Sequence, residues 1–256
     1  MKNIITILLF VSPTLVHAQD VNVLLKEAAN LEKQLKESEA LEKYKQIAST
    51  DTNNIFVLVK CIELNCSVGA RQTDKNAKAN NYNEAQTYAQ KALAADANNA
   101  DANYAMAVVA GKMTEIEPEK KKVPEKKKVT EYVRQTKLYG DKALAINPNH
   151  AKANYVVGKW HYEMVTLSWI KKAAVKTLYG GLPKGDIDSA ILYMEKCRVL
   201  DQYFVRNYLD LAKVYQYKSQ PAKAIEVLNK LVKLPNRTAD DAALKEEGKQ
   251  MLQQMQ

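Results

Sequence analysis

Lys152, Tyr155, Lys159 and Tyr162 follow one another at intervals of three, four and three residues, and Arg206 and Lys213 stand seven apart further on. Such intervals put each set on one face of an α-helix. A guanidinium on that face donates to a carboxylate or phosphate through a bidentate fork, and an amine does so as a point charge. The chemistry in view is recognition of an acidic partner. An ordinary solvated face is the competing reading, because Lys is common throughout the chain. Ala105, Met106, Val109 and Met113 occupy the matching positions of an earlier stretch and supply either an apolar floor beside that basic rim or core packing.

Catalysis finds little to work with. The chain has no Gly-rich phosphate loop, no nucleophile elbow and no paired His motif, and Gly180-Gly181 signals a turn. His150 and His161 form no metal-ligand pair at a recognisable spacing. No enzyme activity, cofactor or metal is expected.

The elements that must position the cationic residues are set by a recurring register of small, then aromatic, apolar or small, then apolar or small. It occurs at Ala40/Tyr44/Ile47, Ala85/Ala89/Ala92, Thr136/Gly140/Ala143, Ala190/Met194/Cys197 and Ala224/Leu228/Leu231. Steps of four and three make each trio one helix stripe, the stripe on which the second helix of a tetratricopeptide hairpin meets its first. The expected fold is all-α: a tetratricopeptide-like helical-hairpin solenoid of about five hairpins plus a polar C-terminal capping helix, started by Thr238 or Asp240. Hairpins of this kind bury a core only by stacking, and their product is an extended concave surface lined by first helices. The intervals between trios are uneven, so inserted loops are expected to gather on one rim. One polar stretch, GARQTDKNAKANN, reads as a loop, and a second insert, LSWIKKAAVKTLYGGLPKG, interrupts the fourth hairpin with a short amphipathic helix.

Residues 1–18 read as a signal peptide: Lys2, an apolar run from Ile4 to Val16, and a Val16-His17-Ala18 cleavage site. The run is shorter than the roughly 20 residues of a spanning helix. Residues 19–256 then form the repeat domain, exported to the periplasm or secreted, soluble, and out of reach of cellular nucleic acid. Cys61, Cys66 and Cys197 are an odd set, with two of them five apart on one helix, so core filling is expected rather than disulfides. The formal charge of +9 is concentrated in part at Lys120 to Lys128, which reads as a solvated linker.

The stretch NPNHAKANYVVGKWHYEMVTLSWIKKAAVKTLYGGLP and the later KLPNRTADD carry a more specific likeness. Gly158-Lys159-Trp160, the Trp169 to Pro183 insert, and Leu234-Pro235 ahead of Asp240-Asp241 resemble the tetratricopeptide-like domain of the regulator of microtubule dynamics family. The resemblance spans most of the chain after the signal and is strongest from Asn147 to Asp241. It implies adaptor work, its animal members being microtubule-associated or organelle-contact proteins whose repeat domain can hold lipid. An export signal and the lack of an evident tail anchor depart from those members, so only the fold and a general binding role carry over. The partner expected is a protein or acidic peptide in the groove, with a lipid or other anionic amphipath as the alternative.

Overall fold

A computed structural model of the chain describes residues 13–116, 123–167 and 184–255. Within them lie α1 (Pro13–Lys33), α2 (Glu37–Thr50), α3 (Ile55–Arg71), α4 (Lys75–Ala95), α5 (Ala100–Ile116), α6 (Val123–Ile146), α7 (Ala151–Thr166), α8 (Ile187–Leu200), α9 (Val205–Tyr217), α10 (Pro221–Leu231) and α11 (Asp241–Gln254). The described residues include no strand. Successive helices pair into five antiparallel hairpins, from α1/α2 to α9/α10, and α11 packs across the last one.

The spacing argument holds at every trio. All fifteen residues are buried, on α2, α4, α6, α8 and α10. Gly140 faces Val157, and a methyl group there would come within 2.8 Å of that side chain. Cys61, Cys66 and Cys197 are free thiols in the core, as expected.

Three of the four turns between hairpins begin in the same way. Asp96, Asn147 and Asp201 end α4, α6 and α8, and each side-chain oxygen accepts from the amide two residues on. This Asx turn stops the helix and points the chain at the next one. Asn54, Asn99 and His150 then accept from the amide three residues on, capping α3, α5 and α7. Asn103 and Asn154, buried one turn inside, donate back to the carbonyls of the same turns.

Three expectations are corrected. The connections after α2, α4 and α6 are all four-residue turns, so no inserted loop lies there, while most of the connection between α7 and α8 lies outside the described residues. The stretch read as a polar loop is helical apart from 72–74, because Asp74 caps α4 early and Tyr82 must reach the face of α3 where Gly69 leaves room for its ring. The Lys-rich run is not wholly a linker, since α6 begins at Val123 and includes Lys126 to Lys128. The insert carrying Trp169 lies outside the described residues, as do residues 1–12 of the expected signal. No described helix is long and apolar enough to cross a membrane.

Candidate concave site

Lys152, Tyr155, Lys159 and Tyr162 lie on α7, and Arg206 and Lys213 on α9, each the first helix of its hairpin. The structure gives each of these cations a carboxylate. Lys152 donates to Glu63 Oε1 at 2.7 Å, and the Tyr104 hydroxyl donates to the same oxygen at 2.8 Å. Burial alone would raise the Glu63 pKa, but the Lys152 charge, its hydrogen bond, Lys60 and Tyr104 outweigh that and hold it below the ordinary value. Asp210 accepts from the Tyr155 hydroxyl at 2.7 Å and from Lys159 at 3.2 Å, while Lys159 also meets Glu163 at 3.3 Å. Lys213 pairs with Glu247 at 2.7 Å, and Arg206 with Asp240 at 2.8 Å.

The expectation of a free basic rim is therefore corrected: Lys152, Lys159, Arg206 and Lys213 are partners of acids on the same molecule. Tyr155 is only 7% exposed, so it is a buried hydrogen-bond donor and no ligand contact. Tyr162 is half-buried and stands edge-on to the exposed Tyr217. Ala105, Met106, Val109 and Met113 are buried, which settles them as core and removes the apolar floor. Trp160 packs, donating its indole N–H to the Val133 carbonyl.

What the first-helix side offers instead is a recess of about 260 Å³ between α3, α5 and α7, walled by Phe56, Val59, Lys60, Glu63, Asp101, Tyr104, His150 and Lys152. Phe56 is 57% exposed at its edge. Leu192 and Val199 are more exposed still, so exposure alone does not single Phe56 out; its place beside a recess does, the setting of an aromatic anchor. His150 is not a spare base there. Its Nδ1 accepts from the Ala153 amide at 3.0 Å, which leaves Nε2 to carry the proton and donate to Asp101 at 2.9 Å.

Sequence reasoning missed the acids. Two were legible, since Glu163 lies four residues from Lys159 and Asp210 three from Lys213, spacings that pair on a helix. Glu63 is 89 residues from Lys152, and Asp240 is 169 from Arg71, so no local pattern announces them. Phe56 was legible only as part of an apolar helix.

A family model described as "Regulator of microtubule dynamics protein 1-3" matches residues 24–256. The chain belongs to that family. The regulator of microtubule dynamics protein 1 of Caenorhabditis elegans is 31% identical over 113 residues, 44% of this chain and 50% of that protein. Regulator of microtubule dynamics protein 2 of Bos taurus is 27% identical over 70% of this chain and 42% of its own length. The chain thus spans half or less of the length of these curated relatives. Among solved structures, a thermophilic TPR protein of Thermus thermophilus superposes with a TM-score of 0.63 at 13% identity, over 91% of this chain and 99% of that one. PilW, a widely conserved type IV pilus biogenesis factor, gives 0.51 at 17% identity, over 93% and 90%. These likenesses establish the tetratricopeptide fold of this family member.

Proposed function

We propose that this family member is an exported, non-enzymatic scaffold that binds a polypeptide segment on its concave face, with the Phe56 recess as the anchor point. Export rests on the signal-like residues 1–18, and it would put microtubules out of reach whatever the relatives' names describe. The observation that carries the binding reading is the exposed Phe56 beside a recess on the first-helix side, where a repeat array presents its surface to ligands. A single aromatic or branched apolar side chain fits such a recess. A half-open recess of this size suits one side chain of an extended peptide better than it encloses an acyl chain, which supports the adaptor reading.

The test uses residues 19–256 immobilised against periplasmic extract. Phe56→Asp should abolish capture of whatever binds, while Leu192→Asp, on the outward side of α8, should leave it intact. Equal capture by both variants would overturn the placement, and lipid recovered by organic extraction of the purified protein would favour the carrier instead.

A further inference from the structure

The two ends of the array touch. Arg71, at the C-terminus of α3, donates from Nη2 to Glu37 at 2.7 Å and from Nη1 to Asp240 at 2.9 Å. Asp240 accepts in turn from Arg206 at 2.8 Å, and the Ala239 amide donates to Glu37 at 2.9 Å across 202 residues of sequence. The segment that makes this bridge is pre-shaped. Asp241 accepts from the amides of Arg237 and Thr238 and from the Thr238 hydroxyl, which folds 237–241 into a tight turn. That turn aims the Asp240 carboxylate outward instead of onto its own helix, where the sequence led one to expect a cap.

Nothing else in the described residues holds the ends together. No helix of the first two hairpins packs on α9, α10 or α11. The buried apolar clusters of the two ends are separate. The closure is made of ion pairs and one amide hydrogen bond. The guanidinium groups are about a third to two-fifths exposed and within reach of salt, while Glu37 and Asp240 are 6% and 18% exposed. A contact so polar and so distant in sequence is one that a competing carboxylate could replace.

We propose that Arg71 and Arg206 are a carboxylate-binding pair for an acidic peptide partner, and that Asp240 occupies them in the closed array as an internal stand-in for that partner. The inference deepens the binding reading given above and rests on it for the identity of the partner. Planar guanidiniums are suited to a carboxylate by their paired donors, and the occupant they hold here is a carboxylate followed directly by a second, Asp241. An acidic segment arriving on the concave face would displace Asp240, part the ends and gain the arginines. Its apparent affinity would be reduced by the fraction of molecules that are closed.

Spin labels at Thr73→Cys and Asn236→Cys, both exposed, read the closure directly, because the native thiols are buried. The wild-type background should give one short distance at low salt. Asp240→Asn, or about 1 M salt, where the screening length is about 3 Å, should lengthen and broaden it. A fluorescein-labelled peptide of alternating Leu and Glu is the binding probe. Asp240→Asn should bind it about tenfold more tightly than wild type, Asp240→Glu should restore the wild-type value, and Arg71→Ala and Arg206→Ala should each weaken it. Melting curves confirm that each variant is folded. A distance unmoved by Asp240→Asn and by salt overturns the closure. Equal peptide affinity in wild type and Asp240→Asn overturns the stand-in role while the scaffold reading survives. A closure that opens with no peptide bound by any form overturns the acidic partner.

Discussion

Asp210→Ala tests whether the concave acids are structural. Asp210, on α9, is buried and accepts from the buried Tyr155 hydroxyl of α7 and from Lys159, so it ties the fourth hairpin to the fifth. Removing the carboxylate deletes a hydrogen bond to a charged group and leaves the phenol without an acceptor, each worth about 1–3 kcal/mol. Lys159 is 37% exposed and keeps Glu163, so its lost pairing adds at most about 1 kcal/mol. The effects overlap, and the expected total is about 3 kcal/mol. For a domain of this size that is a fall in melting temperature of about 6–12 °C. Urea unfolding followed by far-UV circular dichroism should be run on Asp210→Ala, on Tyr155→Phe and on the double variant. The two single losses should overlap by about 1.5 kcal/mol or more in the cycle. Additive losses, or a total below about 1 kcal/mol for Asp210→Ala, would show that the acids are solvated ornaments of an open basic face and would revive it as a ligand surface.

Other measurements bear on the rest of the molecule. Burial pushes the thiols of Cys61, Cys66 and Cys197 up to about 12, so alkylation near neutral pH should be slow in the native state and rapid once urea unfolds the chain; fast native labelling at Cys197 would place the α8 stripe wrongly. Both amide atoms of Asn65 are buried without a partner, so Asn65→Leu, similar in volume, should raise stability by about 1–3 kcal/mol; a destabilised variant would reveal a partner for that amide. The folded-state pKa values of Glu63, Glu115 and Asp101 are all depressed, so their stabilisation is complete above the ordinary carboxylate range and is lost as pH falls through the folded values. Melting temperature should therefore drop steeply on the acid side, and Glu63→Gln should flatten that limb at a lower starting stability. An unchanged acid limb in this variant would remove Glu63 from the account.

The sequence by itself determined the helices, their pairing and the buried stripe. Helical packing writes itself locally: Ala190, Met194 and Cys197 must share a face because the helix turns every 3.6 residues, whatever surrounds them. The turn chemistry was equally local and could have been read from Asp96 and Asn147, each followed three residues on by a capping side chain, Asn99 and His150. The candidate site was half legible. That Lys152 and Lys159 share one helix, and Arg206 and Lys213 the next first helix, follows from register, but whether a cation is free depends on what lies across from it. Glu63 reaches Lys152 only after three hairpins have stacked, and Asp240 reaches Arg71 only after the array has curved round on itself. Curvature accumulates from small rotations at every interface, a quantity that no short window of residues contains. For this reason the tertiary structure alone decided that the basic line is neutralised from within, that Tyr155 is buried, and that the ends of the solenoid meet.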